Sequence, residues 1–583
     1  MKNKEIAEIF ARMGDILEFK GENLFRVNAY RKASRVIQDL TEDIEKIYAE
    51  GKLRQIPGVG EGMAEKIEEY LKTGKMSKYE EVKKGVPDGL ADLLAIQSLG
   101  PKTLAVAHKE LGVKNISDLK KVIEDGSLEK LYGMGKKKVE NILRGMQLFT
   151  ASKERIFLGE ALPLVEEIIE ELKKRVKVKE ICPAGSLRRM KETIGDIDIL
   201  ATGKEGRTII EQFTKLPQVK SVLASGETKG SVVVEGGIQV DLRVVEENSY
   251  GSALQYFTGS KAHNIHLREM AKAKGMKISE YGIFSAKGGS ASGGKGEKKI
   301  GGKNEVDIYS HLDLPFIPPE IREDSGEIEA GLKDALPSLV EYEKVKGDLH
   351  VHSVWSDGSA TIEEIARAAK EVGYEYIAIC DHSQSVKYAG GLSVERLLKQ
   401  IEEIKTLNQR LSKGSTSGGK GIQILAGSEV DIKANGSLDF PDEVLAKLDL
   451  VIAAIHSGFK QNVTERIIKA MHHPCVNIIA HPTGRLISKR EGYEIDFDAI
   501  LKEAVKTGKV LEINAYFDRL DLNDLNCRKA KEFGVKVSIG TDAHHLGQLW
   551  MLKLGVGMAR RGWLTEKDVI NYLPLAQLRS FLK

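Results

Sequence analysis

Apolar residues recur with a helical period at the start of the chain. Ile6, Ala7, Ile9 and Phe10 fall on one helix face, as do Leu17 and Phe19. Similar segments, separated by short glycine turns, continue to about residue 150. After a helix near 160–175, four runs have strand-like composition: 178–183, 197–202, 231–234 and 238–244. The pattern therefore predicts an all-α region followed by an α+β region.

A second pattern begins near residue 345, where apolar runs alternate with amphipathic helices. This alternation predicts a parallel α/β sheet or barrel. The runs lie at 376–380, 422–425, 450–454, 476–479, 510–513 and 535–539. Residues 286–302 and 413–421 are rich in Gly, Ser and Lys, which predicts two flexible surface loops. Residues 325–344, after a Pro-rich stretch, are expected to form a linker with some helix.

Composition adds little to this picture. The 583 residues are 41% hydrophobic and 30% charged, as in globular proteins, and the net charge of +3 favours no class of partner. No apolar run of about 18 residues predicts a membrane span, and the N-terminus has no signal-peptide core. The four cysteines lack paired spacing, so we expect reduced thiols in a cytoplasmic protein. We also expect the protein to be a monomer.

Three short segments near the start of the chain resemble one another: the first and third place a hydrophobic residue between two glycines, and the middle one departs from this pattern with Gln97-Ser98 where Pro-Gly is usual. Such a turn exposes backbone N–H groups at a helix N-terminus, where a phosphate can bind. The segments are Ile56-Pro57-Gly58-Val59-Gly60, Ser98-Leu99-Gly100-Pro101-Lys102 and Tyr132-Gly133-Met134-Gly135-Lys136. They resemble the helix-hairpin-helix of DNA-binding proteins, which implies DNA contacts at Gly58, Gly60, Gly100, Gly133 and Gly135. Ordinary glycine turns between packed helices are the alternative.

A lysine follows the first of these hairpins. Asn28-Ala29-Tyr30-Arg31-Lys32-Ala33 and the segment 56–66 resemble the N-terminal domain of DNA polymerase beta. The resemblance implies that Lys66 forms a Schiff base with an abasic deoxyribose, and that Arg26 and Tyr30 contact DNA. Arg26, Arg31 and Lys32 are expected to lower the pKa of Lys66 and to hold a 5′-phosphate. A solvated helix lysine is the alternative.

Three aspartates on neighbouring predicted strands form the first candidate metal site. Asp196 and Asp198 are two residues apart on a strand and so project from one face, while Asp241 lies on a second strand. Three carboxylates can hold two Mg²⁺ ions. Gly185, Ser186 and Gly195 offer donors to phosphate and Arg189 a charged clamp. This spacing predicts a nucleotidyltransferase.

The segment Tyr256-Phe257-Thr258-Gly259-Ser260 resembles the part of family X DNA polymerases that packs against the sugar of an incoming nucleotide. The resemblance covers about 1–324. It implies that Tyr256, Phe257 and Gly259 bind the dNTP, that Asn264 reads the minor-groove edge of the base, and that Arg268 contacts the template side. The palm would extend over 151–250 and the thumb over 251–324, after helical domains at 1–85 and 86–150.

The C-terminal half holds a second set of candidate ligands, most of them at or just after predicted strands. A mixture of His, Asp and Glu suits Zn²⁺, Mn²⁺ or Fe²⁺ better than Mg²⁺ or Ca²⁺. Strand ends are also where α/β barrels place their active sites. The nine ligands are His350, His352, Asp357, His382, Glu429, His456, His481, Asp542 and His544.

This half, about 345–575, resembles the polymerase-and-histidinol-phosphatase (PHP) domain, a phosphoesterase on a distorted (β/α)₇ barrel. The resemblance implies up to three Mn²⁺ or Zn²⁺ ions, with Glu429 and Asp542 as bridging ligands. Arg485 is expected either to bind phosphate or to lie on the surface. His472, His473 and His545 fall outside the pattern.

The whole chain thus resembles a bacterial or archaeal family X DNA polymerase with a C-terminal PHP domain. The resemblance implies dNTP-dependent filling of short gaps in base excision repair, together with 3′→5′ exonuclease or 3′-end processing. DNA with gaps, nicks or abasic sites would be the substrate, and abasic-site cleavage is a further expectation. Two alternatives are a small-molecule PHP phosphatase fused to a DNA-binding module and a non-catalytic repair scaffold.

Overall fold

The computed structural model divides the chain into two compact units, Met1–Lys153 with Ser488–Arg490, and Glu154–Ile487 with Glu491–Lys583. Each unit is described by itself. The residues that the structure describes are 2–38, 44–56, 59–84, 86, 89, 93–94, 96, 99–153, 155–285, 298–413 and 421–583. Gly58 and the residues Pro57, Gln97 and Ser98 of the first two hairpins therefore lie outside the described residues, as do 286–297 and 414–420 of the two predicted loops.

The first unit is helical in its described part, as the periodicity predicts. Its helices are α1 (Lys2–Phe19), α2 (Leu24–Gln38), α3 (Ile44–Ala49), α4 (Glu61–Thr73), α5 (Ser77–Lys83), α6 (Pro101–Leu111), α7 (Ile116–Glu124) and α8 (Lys136–Lys153). Ile6 and Phe10 of α1 pack on Val27 and Tyr30 of α2, which gives one apolar core. A second core forms around Leu104 and Ile142.

The second unit begins with a five-stranded sheet in the order β2-β4-β7-β6-β5. Strands β4 and β7 are parallel, whereas the other neighbours are antiparallel. The elements are β1 (Ile156–Phe157), α9 (Leu158–Arg175), β2 (Glu180–Pro183), α10 (Gly185–Arg188), β3 (Thr193–Ile194), β4 (Asp196–Thr202), α11 (Gly206–Phe213), β5 (Val219–Ser225), β6 (Lys229–Val234) and β7 (Gln239–Val245). The parallel pair brings the two aspartate-bearing strands side by side.

A smaller helical and three-stranded part follows. It contains α12 (Tyr250–Thr258), α13 (Lys261–Ala273), β8 (Met276–Ser279), β9 (Gly282–Ser285), β10 (Lys298–Gly301), α14 (Glu305–Ser310) and α15 (Glu327–Leu332). The end of the predicted loop 286–302 thus pairs as β10 with β9. The predicted linker 325–344 packs tightly, because Val340 is fully buried and its N–H donates to the Leu564 carbonyl.

The C-terminal half contains seven parallel strands in sequential order. They are β11 (Gly347–Val351), β12 (Tyr376–Ile379), β13 (Gln423–Asp431), β14 (Leu450–Ala454), β15 (Ile478–Ile479), β16 (Val510–Asn514) and β17 (Val537–Gly540). The N–H of Asp542 donates to the His350 carbonyl over 2.9 Å, which joins the end of the last strand to the first. The sheet is therefore a nearly closed barrel, and the predicted fold class is confirmed.

Helices cover the outside of this barrel. They are α16 (Ile362–Val372), α17 (Val394–Lys413), α18 (Asp442–Leu445), α19 (Val463–Met471), α20 (Phe497–Thr507), α21 (Asp524–Phe533) and α22 (Leu552–Arg561). The last helix, α23 (Leu575–Leu582), packs through Leu578 in a second apolar cluster with Leu425 and Ile452 of the barrel strands. The barrel and the five-stranded sheet share one apolar core. At their boundary Phe157 meets Phe517 edge to face, with ring centroids 5.6 Å apart.

Two candidate metal centres and a helical unit

The three aspartates of the first centre lie together on the parallel strands β4 and β7. Asp198 is directly opposite Asp241 in the strand register, and Asp196 lies two residues before Asp198 on the same face. Gly185, at φ +59°, begins α10 directly over Asp198, where a Cβ would lie 2.7 Å from its Oδ2. The glycine therefore permits the close approach of a phosphate-binding turn to the carboxylates.

The three carboxylates carry like charges and repel one another. Burial, with Asp196 and Asp241 nearby, raises the pKa of Asp198 to about 6. Burial also favours the neutral form of Asp241, but hydrogen bonds from Lys229, Gln239 and Ser231 hold the pKa of this carboxyl group below its ordinary value. A divalent cation bound by these oxygen donors would relieve the repulsion, so the donor set fits Mg²⁺.

A cavity of about 470 Å³ adjoins Asp196 and Asp198. Most of the predicted nucleotide-binding residues line it: Gly185, Ser186, Arg189, Tyr256, Phe257, Gly259 and Asn264, together with Arg268. The sequence analysis missed Arg155, Lys191 and Lys261, three further cations of this wall. The concentration of positive charge beside three carboxylates suits a polyanionic ligand that arrives with metal ions.

The predicted contacts differ in how they are placed. Gly195 connects β3 to β4 and is not part of this cavity wall. Asn264 is 9% exposed, and its amide bonds the Gln255 side chain and the Tyr256 carbonyl, each at 2.7 Å. Phe257 lies under the Arg243 guanidinium, 4.6 Å from the ring centroid. These contacts hold the α12–α13 turn rigidly against the sheet.

All nine predicted ligands of the second centre converge at the carboxyl ends of the barrel strands. Glu429 is central, because its oxygens lie 2.8 Å from His382 Nδ1, 2.9 Å from His481 Nε2 and 3.2 Å from His456 Nε2. Asp542 Oδ1 lies 3.0 Å from His352 Nε2, and Asp357 faces both His382 and His544. Three overlapping groups of these residues have donor atoms within 4.8 Å of one another.

Several donor atoms of this centre have no hydrogen-bond partner among the described residues. Glu429 Oε2, His382 Nδ1 and His352 Nδ1 are buried and make no hydrogen bond to any described residue, although the first two are 2.8 Å apart. Although burial favours the neutral imidazole, Glu429 and Asp357 raise the pKa of His382 to about 10. Cations are thus favoured among these groups, and metal ions fit the donor set.

A second layer of carboxylates orients the histidines. Glu512 Oε1 lies 2.6 Å from His350 Nδ1, and Glu512 Oε2 accepts from the His481 N–H over 2.8 Å. Asp431 Oδ1 accepts from the His456 backbone N–H over 3.0 Å and lies 3.3 Å from His456 Nδ1. Asn514 donates to Asp542 Oδ2 over 3.0 Å. The sequence analysis missed these residues, although polar side chains in the otherwise apolar strands β13 and β16 are a usable signal.

Two arginines lie near the second centre: Arg485, for which the sequence left phosphate binding or a surface position open, and Arg519, to which the sequence assigned no role. Arg485 is 15% exposed and donates to Glu192 at 2.7 Å and to the Leu520 carbonyl at 2.6 Å, so it ties the barrel to the segment that directly precedes β3. Arg519 instead lies beside the ligands, with its Nε 3.8 Å from Asp542 Oδ2. Within the described chain its side chain makes no hydrogen bond, and 23% of it is exposed.

In the helical unit, Lys66 lies on α4 with a polar partner and two cations nearby. Its Nζ donates to the Gly62 carbonyl. Burial lowers the pKa of Lys66, and Lys78 and Arg26 add to this effect. Arg31 is engaged elsewhere, since it pairs with Asp15 and Glu18, each at 2.6 Å. Tyr30 is 5% exposed and packs on Phe10, so it is a core residue, and its DNA contact stays a prediction.

The three hairpins share one turn in their described residues. The N–H of Val59, Leu99 or Met134 donates to the carbonyl three residues earlier over 3.0–3.1 Å, and each of these side chains is buried. Gly60 and Gly100 cap α4 and α6, and Gly135 directly precedes α8. A Cβ on Gly60, Gly100, Gly133 or Gly135 would meet nothing within 4 Å, so the space in front of each turn is open.

Comparison with known proteins places these features in one family. Family profiles match residues 1–76 (helix-hairpin-helix domain), 253–323 (DNA polymerase beta thumb) and 348–516 (PHP domain). The chain is 41% identical over 588 aligned residues to the DNA polymerase/3′-5′ exonuclease PolX of Bacillus subtilis (strain 168), and the alignment spans 100% of both chains.

Two other relatives each match a part of the chain. A probable phosphatase of Thermoanaerobacter sp. (strain X514) is 32% identical over 40% of this chain and 94% of its own length. DNA polymerase lambda of Arabidopsis thaliana is 26% identical over 55% of this chain and 62% of its own. The fold and both centres define an enzyme that joins a nucleotidyltransferase to a phosphoesterase. The chain belongs to the family X DNA polymerases with a C-terminal PHP domain, so the predicted family is confirmed.

Proposed function

We propose that this enzyme fills short gaps in DNA at the aspartate centre and removes 3′-terminal nucleotides at the PHP centre, as part of base excision repair. The observation that carries the proposal is the presence of two separate ligand sets, one of carboxylates only and one rich in histidine, each beside a cation suited to phosphate. Its action as a cytoplasmic monomer stays a prediction.

At the aspartate centre, Asp196, Asp198 and Asp241 would hold Mg²⁺. The ions would supply charge neutralisation for the triphosphate and favour ionisation of the primer 3′-hydroxyl. Ser186 and Arg189 bind the phosphates, and the α12–α13 turn at Gly259 packs against the sugar. The close fit of Gly185 over Asp198 keeps the phosphates beside the carboxylates. These residues orient the dNTP for attack by the primer end.

At the PHP centre, the nine ligands would hold up to three Mn²⁺ or Zn²⁺ ions, which would supply an activated water and a positive charge at the scissile phosphate. Glu512 fixes His350 with its proton on Nδ1, so that Nε2 faces the centre. Arg519 binds the phosphate next to the scissile bond. Its guanidinium lies at the edge of the centre, and its N–H groups make no hydrogen bond to a described residue.

The role of Arg519 is testable with a neutral substrate. Arg519→Ala is expected to lower exonuclease kcat/KM about 10²-fold on ordinary DNA, since a charge-assisted contact of about 2–3 kcal/mol is lost. On DNA with a methylphosphonate at the phosphate beside the scissile bond, wild type and variant should be nearly equal. If the ratio of wild-type to variant kcat/KM is the same on both DNA substrates, Arg519 only supports Asp542. The metal content, measured by mass spectrometry, checks that the centre is intact.

A second activity, removal of a 3′-phosphate, has support of its own. Much of the PHP half is similar to proteins named as probable phosphatases, and a monoester fits the same ligands as a diester. Abasic-site cleavage at this centre and lyase chemistry at Lys66 complete the proposed repair role. A small-molecule phosphatase alone, or a scaffold without chemistry, leaves the aspartate centre unexplained.

One substrate panel tests the proposal. Gapped, nicked, abasic and 3′-phosphoryl duplexes are incubated with Mg²⁺ or Mn²⁺ separately, with and without dNTPs. We expect one-nucleotide gap filling with Mg²⁺ and 3′-end removal favoured by Mn²⁺. A protein that releases phosphate from small monoesters but extends no primer would contradict the polymerase proposal, and one that extends but never shortens DNA would contradict the nuclease proposal.

A further inference from the structure

Arg561, at the end of α22 in the PHP half, contacts Arg189 of the nucleotide cavity. Its side chain is 3% exposed, and its guanidinium Nη1 donates to the Arg189 carbonyl over 2.7 Å and to Glu323 Oε1 over 2.9 Å. The opposite edge of the guanidinium pairs with Asp524 of α21. A buried arginine of the barrel thus holds both the main chain and an ionic partner of a cavity residue.

Glu323 is the shared partner in this cluster. Its Oε1 lies 3.1 Å from Arg189 Nε, 2.9 Å from Arg561 Nη1 and 3.9 Å from Lys191 Nζ. Although burial favours the neutral acid, these three cations hold the pKa of Glu323 below its ordinary value. Arg189 and Lys191 both line the cavity, so the single negative charge of Glu323 acts on both.

The same helix also packs against the next residue of the phosphate-binding segment. Met190 has φ +53°, and its side chain fills the space at Gly557 of α22, where a Cβ would lie 2.6 Å from Met190 Cε. The main chain at residues 189–190 is therefore held from one side by α22. This arrangement leaves the segment little freedom to move independently of the barrel.

We propose that Arg561 is a positioning residue for nucleotide binding, through which the PHP half sets the placement of Arg189 and balances the charge of its partner Glu323. The inference rests on the proposed polymerase function of the cavity. Arg561 acts in two ways: it fixes the Arg189 main chain, and it neutralises part of the Glu323 charge that otherwise draws Arg189 away from a triphosphate.

Replacing Arg561 and replacing Glu323 should change the KM for dNTP in opposite directions. Arg561→Ala leaves Glu323 with fewer cations and releases the Arg189 carbonyl, so we expect the KM for dNTP in one-nucleotide gap filling to rise about tenfold. Glu323→Gln removes the competing charge, so we expect this KM to fall about threefold. The double variant should lie between the two. Because Lys lacks the planar fork, Arg561→Lys should not restore the wild-type KM.

Controls separate positioning from folding. Lys553→Ala removes an exposed ion pair with Glu166 across the same boundary and should leave the KM unchanged. Exonuclease activity should be unaffected in every variant. If both Arg561→Ala and Glu323→Gln raise the KM, or if neither changes it, the inference is overturned. If Arg561→Ala does not fold, Glu323→Gln alone decides by the direction of its effect. Failure of the wild type to extend any primer would instead overturn the proposed function.

Discussion

Asp198 is held in an electrostatically unfavourable position, and this predicts a stability effect of its removal. Its pKa is raised to about 6, so at pH 7.5 the folded protein keeps a buried carboxylate charged beside two others. We expect Asp198→Asn to abolish primer extension and to raise the unfolding free energy of the metal-free protein by about 2 kcal/mol. Thermal unfolding in EDTA measures this change.

The Asp198→Asn variant also tests how Mg²⁺ changes the melting temperature. Mg²⁺ should raise the melting temperature of the wild type, because it relieves the carboxylate repulsion, and should have a smaller effect on Asp198→Asn. The size of the effect depends on pH: because the folded pKa of about 6 lies above the ordinary value of 3.8, the penalty is nearly complete well above pH 6 and declines as pH falls through 6 towards 3.8. A variant less stable than the wild type in EDTA at pH 7.5 would contradict this account of the site.

Lys66 offers a pH-dependent prediction of a different kind. Schiff-base formation needs the free amine, and burial together with Lys78 and Arg26 lowers the pKa of Lys66. Borohydride trapping on 5′-deoxyribose phosphate DNA should therefore rise with pH with an apparent pKa below 10.5. Lys78→Ala removes a nearby cation, so it should shift this profile upward and reduce trapping at pH 7.

Two controls accompany the trapping experiment. Lys66→Arg should form no adduct, whereas Lys75→Ala, which changes a lysine on the same part of the chain, should leave the profile in place. Adduct formation that persists in Lys66→Arg would assign the chemistry to another amine. An unchanged profile in Lys78→Ala would show that Lys78 does not contribute to the lowered pKa of Lys66.

The hairpins make a prediction at the scale of a structural element. Because the space before Gly135 is open, Gly135→Glu should fold normally but place a carboxylate where a DNA phosphate approaches the N-terminus of α8. We expect DNA affinity to fall several-fold and the salt dependence of binding to weaken by about one phosphate contact. Fluorescence anisotropy over a salt series measures both quantities.

The matched control for this hairpin changes net charge equally. Lys120→Gln lies on the exposed side of α7, between the second and third hairpins, and is expected to have a much smaller effect. Equal losses in the two variants would mean that only overall charge matters. No loss in Gly135→Glu would contradict the assignment of the third hairpin to DNA binding.

Strand β16 carries the next prediction, since its Glu512 orients two ligands of the PHP centre. Glu512→Gln should weaken metal binding about 10- to 100-fold without removing a ligand. Competition with a chelating dye measures the affinity. Glu503→Gln is the control, because Glu503 pairs with His472 at 2.9 Å outside the centre. Equal affinities in the two variants would contradict the role of Glu512.

The elements also show what the sequence could predict. Ligands after apolar runs predicted the PHP centre, because parallel strands end at one edge of a sheet. The Asp196/Asp198 spacing predicted a shared face, and β4 shows it. Glu512 and Asp431 were missed because they act on ligands rather than on metal. The roles of Arg485 and Arg519 depend on neighbours distant in sequence, Glu192 and Asp542, which no local pattern reveals.

At the scale of the whole molecule, the sequence left the placement of the PHP half open. The structure gives it a shared apolar core with the five-stranded sheet, and its Arg561 pairs with Glu323, which lies between α14 and α15. Such contacts arise between residues more than 200 positions apart, so periodicity and motif spacing carry no information about them. Among the residues that the structure describes, no helix has the length and apolar character needed to cross a membrane.

If the chain holds two independent chemical centres, a crossed pair of variants should separate their two activities. Asp196→Ala/Asp198→Ala and His352→Ala are each assayed for gap filling with Mg²⁺ and for 3′-end removal with Mn²⁺ on the same labelled DNA. The first should lose extension and keep nuclease activity, and the second should do the reverse. Loss of both activities in either folded variant would contradict the account.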